Sequence, residues 1–592
     1  MPEPHVRRHR HGAHLLEAGH TRFCLWAPDA QTVDVAIDGG ACWPMQAEAA
    51  GWFCGEIACG AATRYRYCID GELHVPDPAS RAQAGDVHSP SLVVDPHAYH
   101  WQHPEWCGRP WHEAVIYEVH VGAMGGYAAL GERLAELAEL GITAIELMPL
   151  AEFPGARNWG YDGVLPYAPE ASYGPPQALK QLIDQAHGHG LMVFLDVVYN
   201  HFGPDGNLLG QYAKAFFRHD QPTPWGDAID FRRPQVRDFF IDSALQWLQE
   251  YRFDGLRLDA VHAIDDKSFL RELAARVRAA LPPQRQVHLV LENEDNSASL
   301  LAQGFTAQWN DDGHNALHVL LTGETHGYYA DFGHATTQKL ARCLAEGFVY
   351  QGELDRHGKP RGEPSGHLPP SAFVLFLQNH DQIGNRAFGE RLIDLADAEA
   401  LRAATCLLLL SPMIPLLFMG EEIAVRQPFL YFTSHTQALA DAVRIGRRAE
   451  FASFPAFADA SSRERIPAPN AEATFAASRP DFGCADQPGH AEWRALYRQL
   501  LELRQREIVP RLPGARALGA EVLAEAAVCA RWRLGDGQVL RIELNLGEHA
   551  VALAAAPPGR LLFASRAARE QQQSDLLAAK SARVLLEPGD DG

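Results

Sequence analysis

The sequence predicts a (β/α)8 TIM barrel carrying an N-terminal β-sandwich module and a small C-terminal β domain, an α/β protein overall. Three observations predict it. Between residues 115 and 419 short apolar stretches alternate with helical patterns, the signature of β/α units on a parallel sheet. Eight such stretches occur there, enough to close a barrel. On both flanks the texture changes to short runs in which apolar and polar residues alternate, as in antiparallel sheets with one solvated face. At 592 residues the chain is also too long for one core.

Residues from about 15 to 95 alternate in this way, as in Arg22-Phe-Cys-Leu-Trp-Ala-Pro and Thr32-Val-Asp-Val-Ala-Ile-Asp-Gly. A non-periodic connector with tryptophans and prolines over 96–111 then puts a boundary near residue 110. Barrel strands are predicted at 115–119, 143–148, 192–198, 255–259, 288–292, 306–309, 373–378 and 414–419. Helices between them are predicted at 130–140, 177–189, 235–251, 268–280 and 400–410. Two excursions read as loop-rich, 199–232 and 421–489, and a helix is expected over 491–506. From about residue 513 short alternating strands return. The expected division is therefore 1–110, 111–512 and 513–592. A doubly wound sheet is the structural rival, and the polar residues at the strand ends weigh against it.

Composition narrows the function. Fifty-two basic against 74 acidic residues leave a net charge of −22, which disfavours nucleic acid and anionic membrane as partners and suits a neutral substrate. The N-terminus lacks a signal-type apolar core and no run approaches a membrane span, so a cytoplasmic protein is expected. Ten scattered cysteines without zinc-site spacing read as buried reduced thiols. His5, His9, His11 and His14 read as a solvated tail rather than a metal site.

The candidate chemistry gathers at strand ends. In Phe253-Asp-Gly-Leu-Arg-Leu-Asp-Ala the side chains alternate faces, so Arg257 and Asp259 point the same way while Leu256 and Leu258 point the other. A guanidinium beside a carboxylate favours its ionised form and fixes its orientation, as a nucleophile requires. Helix capping is the competing role for Asp259, but the next helical pattern begins near Phe269, where Asp265 or Asp266 is the natural cap. The third strand leads to Asp196, Asn200 and His201, the fifth to Glu292, and the seventh to His380 and Asp381. In a barrel these ends share one mouth. Asp259, Glu292 and Asp381, with an arginine and two histidines there, suit cleavage of a sugar acetal, which needs a proton donor for the leaving oxygen and a carboxylate for the oxocarbenium-like carbon.

The segments Asp196-Val-Val-Tyr-Asn-His201, Gly255-Leu-Arg-Leu-Asp-Ala-Val-His262, Glu292-Asn-Glu and Gln378-Asn-His-Asp381 resemble, in order and spacing, the four signature segments of the α-amylase family of glycoside hydrolases. The resemblance implies a retaining enzyme with Asp259 as nucleophile, Glu292 as general acid/base and Asp381 as the acid that binds the distorted ring. It also implies that Arg257 orients Asp259, that Asp196 supports the arginine, and that His201 and His380 contact the same sugar. Longer segments, among them Asn158-Trp-Gly-Tyr-Asp-Gly, Gly323-Glu-Thr-His-Gly-Tyr-Tyr, Met419-Gly-Glu-Glu and Tyr431-Phe-Thr-Ser-His, resemble the trehalose-releasing members of that family. Tyr161 would then stack on the reacting sugar, and the expected partners are maltooligosyltrehalose and related α-glucans.

One departure stands at Gln308-Trp-Asn-Asp-Asp-Gly-His-Asn, where relatives carry an aromatic in place of Gly313 and a histidine in place of Asn315; it bears on the sixth loop of the cleft. Calcium sites occur in some members, but no dense oxygen-ligand cluster is visible, so neither an obligatory metal nor a cofactor is expected. Branching and debranching enzymes share the same carboxylates and are the alternatives within the family, with 421–435 the candidate stretch for telling them apart. A catalytically inactive glycan-binding protein is the alternative from another class, and it requires one of the three acids to be missing. No pattern specifies an oligomeric state.

Overall fold

Parity along eight short parallel strands organises the molecule. The computed structural model describes residues 10–16, 19–223, 225–553, 559–570 and 575–589. Its centre is a closed barrel of Ile116–Val119, Ala144–Leu147, Met192–Val197, Gly255–Leu258, His288–Leu291, Ala307–Trp309, Phe373–Phe376 and Ile414–Phe418, each paired in parallel with the next and the last with the first. All eight lie within the predicted stretches, in sequence order.

Every second residue of a strand faces the barrel axis. The lower inward positions, Ile116, Ala144, Met192, Phe194, Val290, Ala307, Trp309, Val374, Phe376, Ile414 and Leu416, form one dry cluster. Two residues further along the same strands the same parity brings up Glu118, Glu146, Asp196, Arg257 and Glu292. The outward residues, Leu256 and Leu258 among them, belong to the main core that packs on the surrounding helices. An apolar floor and a polar mouth therefore follow from one alternation. Gly255 fits the floor because a Cβ there would lie 2.6 Å from the carbonyl oxygen of His288 and 2.8 Å from Cδ1 of Phe194.

The helices Pro176–Gly188, Pro234–Gln249, Lys267–Ala280 and Ala398–Leu410 match expectation, and Asp266 caps the third of them by accepting from the Ser268 amide. The helix expected over 130–140 is instead two pieces, Tyr127–Gly131 and Leu134–Leu140. Between the sixth and seventh strands stand two helices of more than ten residues that had not been anticipated, Asp311–Thr322 and Thr336–Glu346. The first starts directly after the sixth strand, capped by Asn310, and buries Gly313 and Asn315. A Cβ on Gly313 would lie 2.8 Å from Leu375 and 2.9 Å from the Cys343 sulfur, so this departure sits in packed interior, not in a loop that shapes the cleft. The excursion after the third strand carries a hairpin, Phe217–Thr223 with Gly226–Ile229. The stretch 421–489 is less loop-rich than expected, because it contains the helix Gln437–Glu450.

The N-terminal segment forms two antiparallel sheets, Gly12–Leu15/Thr21–Trp26/Trp52–Ile57/Gln46–Glu48 and Cys42–Pro44/Val33–Ile37/Arg64–Ile69/Leu73–Val75. Phe23 of one meets Tyr65 of the other at 4.8 Å between ring centres. At the C-terminus a five-stranded antiparallel sheet spans Arg516–Ala524 to Ser581–Glu587.

Two expectations are corrected here. Cys24 and Cys54 face each other across paired strands, 4.3 Å apart at Cα, and form a disulfide, while Cys42 and Cys107 are exposed, so buried reduced thiols do not describe the whole set. His11 is buried between Trp52 and Phe239, with ring centres 4.7 and 5.1 Å away, and is no part of a solvated tail; His5 and His9 lie outside the described residues.

Candidate active site

The barrel mouth is built around one buried cation. Arg257 is 1% exposed, and its Nη1 donates to Asp196 Oδ2 and to Asp259 Oδ1, each at 2.7 Å. Its Nη2 lies 4.0 Å from Glu292 Oε2, and its guanidinium packs 4.3 Å from the Trp309 ring centre on the barrel floor. A single guanidinium thus spans the expected nucleophile, the expected acid and the supporting aspartate.

The turn after Asp259 is also specific. Ala260 adopts a left-handed backbone with φ 41°, a conformation costly for a residue with a Cβ. In that conformation its amide donates to Glu292 Oε2 at 2.6 Å, and the Val261 amide donates to the Glu292 carbonyl at 3.0 Å. Burial, reinforced by the charges of Asp259, Asp311 and Asp381 and opposed by Arg257, holds Glu292 well above the ordinary glutamate range. Burial likewise pushes Asp196 up to about 6 against the pull of Arg257.

Asp381 stands on a single helical turn, His380–Gly384, capped by Asn379, and its Oδ1 accepts from Asn385 at 2.7 Å. It is exposed at the mouth. His380 is buried. Its backbone amide and Nδ1 both bond the carboxylate of Glu118, and its Nε2 meets the Tyr161 hydroxyl at 2.7 Å. That hydroxyl gives its one proton to Asp196 Oδ2 at 2.6 Å, so it accepts from His380. Both ring nitrogens of His380 are then donors, which requires an imidazolium. The electrostatics agree, because burial alone would lower this histidine, yet the Glu118 charge outweighs it and the group is raised. His201 is lowered by burial; its Nε2 donates to the Tyr161 carbonyl at 2.9 Å and its Nδ1 meets the Asn200 side-chain amide at 3.0 Å.

The structure therefore brings together every site residue expected from the sequence, Tyr161, His201, Arg257, Asp259, Glu292, His380 and Asp381. It also shows the two histidines holding Tyr161 from either end. Three neighbours had not been anticipated. Glu118 lies in the middle of an apolar strand, and a lone acid there was the available signal. Asp311 opens the unexpected helix, pushed up to about 7 by burial and then by Asp381. Trp225, at the hairpin tip and 45% exposed, stacks on His201 with ring centres 4.2 Å apart; nothing in its local sequence marks it. The stretch 421–435 divides. Glu421 and Glu422 face inward onto Tyr497 and Tyr117, whereas the Leu430 carbonyl holds Trp159, whose ring packs against His380 at 5.6 Å and Tyr431 at 5.2 Å.

The catalytic-domain model of α-amylase matches residues 116–215, and a domain of unknown function (DUF3459) matches 515–584. A malto-oligosyltrehalose trehalohydrolase of Deinococcus radiodurans is 41% identical over 521 residues, covering 85% of this chain and 84% of that protein. Another, from Rhizobium sp. (strain M-11), is 38% identical and covers 96% and 98%. Among solved structures, a putative α-amylase from Salmonella typhimurium superposes with a TM-score of 0.92 at 44% identity, covering 98% of this chain and 99% of that one. On the strength of this identity over nearly its full length, the chain belongs to the malto-oligosyltrehalose trehalohydrolase family, within the α-amylase family of glycoside hydrolases.

Proposed function

We infer that the chain is a retaining glycoside hydrolase that cleaves the α-1,4 bond next to the terminal trehalose of maltooligosyltrehalose and releases trehalose. The Arg257 guanidinium bonded to Asp259 and 4.0 Å from Glu292 supports the retaining chemistry, since double displacement needs two close carboxyls, and the identity to trehalohydrolases over most of the chain carries the choice of trehalose as the leaving group.

In the first step an Asp259 oxygen attacks the anomeric carbon on the maltooligosyl side. Glu292, held protonated by its burial, gives its proton to the bridging oxygen, and trehalose leaves. In the second step the Glu292 carboxylate takes a proton from water, the hydroxide attacks the same carbon, the ester bond to Asp259 breaks, and the maltooligosaccharide departs with net retention. Asp381, Tyr161, His201 and His380 hold the distorted sugar, and Arg257 keeps Asp259 aimed. The chain divides at about residues 110 and 512 into the module, the catalytic barrel and the C-terminal sheet.

NMR of the first product formed from maltotriosyltrehalose, read before mutarotation, tests the stereochemistry. α-Maltotriose appearing first supports the reading; the β-anomer would overturn it.

A further inference from the structure

The N-terminal sheets touch the barrel at a place that matters for the cleft. Asp29, in the loop after Thr21–Trp26, makes a reciprocal pair with the excursion that follows the third barrel strand. Its amide donates to the Tyr212 carbonyl at 3.1 Å and its Oδ2 accepts from the Lys214 amide at 2.7 Å. Beside it, Trp26 packs on Phe216 with ring centres 6.2 Å apart. Phe216 packs in turn on Phe202 at 5.8 Å, and Phe202 is the residue after His201. From Phe217 the excursion continues directly into the hairpin whose tip, Trp225, lies over His201. Two further contacts close the same seam: His88 with Asp205 at 3.2 Å, and Gly206, at φ 93°, fitted against Val87, whose Cγ2 would lie 2.7 Å from a Cβ there.

The excursion has no barrel strand of its own to hold it. Its regular structure is one short helix, Leu209–Tyr212, a turn at Lys214–Phe216 and the two-stranded hairpin. A hairpin of two strands is marginal alone and takes its position from what it packs on. Here the module supplies that support on one side, and the His201 loop receives the result on the other.

We propose that the N-terminal module is a strut for one wall of the cleft, and that Asp29 and Trp26 are positioning residues that set His201 and Trp225 through the 209–229 excursion. The proposal assigns the module a mechanical part in substrate binding, and it rests on the reading of the barrel mouth as the glycosidase site.

The test uses the full chain with Asp29→Ala, Asp29→Asn and Trp26→Phe. Hydrogen exchange reads the excursion without substrate, and steady-state kinetics on maltotriosyltrehalose read the wall. Asp29→Ala should speed amide exchange over 212–223 while barrel strands keep wild-type protection, and should raise KM on the order of fivefold, the equivalent of one hydrogen bond, with kcat held. Asn keeps the side-chain acceptor, so Asp29→Asn should restore both. Trp26→Phe keeps a ring in place and should fall between the two. Unchanged exchange and KM in Asp29→Ala would overturn the proposal, as would a KM effect that Asn does not rescue, loosening that spreads to the barrel, or local loosening with KM unmoved. Should the wild-type chain hydrolyse no maltotriosyltrehalose, the functional reading fails, and the exchange data still decide whether the module holds the excursion.

Discussion

Replacing Arg257 by lysine isolates what the buried guanidinium contributes. Arginine holds Asp196 and Asp259 together, both at 2.7 Å, and reaches toward Glu292. Lysine keeps the charge but offers a point ammonium on a flexible stem in place of the planar fork. Both bonds come from the one nitrogen Nη1, and the shorter lysine stem ends short of that point, so the ammonium is drawn to one aspartate and away from the other. Asp196, 3% exposed, has the deeper seat and the Tyr161 hydroxyl to orient it, so the lysine should settle there and leave Asp259 without its donor. A charge-assisted bond of this kind is worth about 2–3 kcal/mol. Lost in the transition state, that is a fall of roughly 30- to 150-fold in kcat/KM. Steady-state kinetics on maltotriosyltrehalose, run well below the unfolding temperature of both proteins, measure it. A kcat/KM within threefold of wild type in a folded variant would refute the idea that the arginine aims the nucleophile.

Other perturbations separate the remaining roles. Glu292→Gln should lose roughly a thousandfold on maltotriosyltrehalose, yet retain the first step on α-maltotriosyl fluoride, whose leaving group needs no proton; equal loss on both would remove Glu292 from the acid role. Trp225→Ala uncovers His201 and should raise KM roughly five- to tenfold at nearly constant kcat, and an unchanged KM would detach the hairpin from the site. Glu421 is pushed up to about 7 by burial and accepts from Tyr497 at 3.0 Å. A carboxyl raised on folding stabilises fully below its ordinary range near 4.5, and that contribution is lost as pH rises toward 7, about 3 kcal/mol in all. Glu421→Gln should abolish that part of the pH dependence in urea unfolding between pH 5 and 8; identical slopes in the two proteins would contradict it.

The barrel was legible because one alternation serves two ends. In Met-Val-Phe-Leu-Asp and Gly-Leu-Arg-Leu-Asp the inward positions turn from apolar or small to charged within four residues, and that turn marks both the strand and its chemical end. What the sequence hid was set by long-range contact. The helix Asp311–Thr322 reads as polar and broken by Gly313, but Asn310 caps it and the surrounding shell buries most of its length. The Cys24–Cys54 bond depends on strand register, which two cysteines 30 residues apart do not specify. His11 looked solvated in a histidine-rich run because its partner Phe239 stands more than two hundred residues away. Glu118 could be suspected as an acid in an apolar strand, but its pairing with His380 required the barrel to close through the eighth strand, which brings the end of the seventh within reach of the first. Trp225 is visible only as geometry.

The most direct test of the central claim is product chromatography after incubating the purified protein with maltotriosyltrehalose, alongside the Asp259→Ala variant. The account predicts trehalose and maltotriose in equal amounts from the wild type and neither from the variant. Intact maltotriosyltrehalose with the wild type, together with cleavage or transfer on branched glucan, would contradict it.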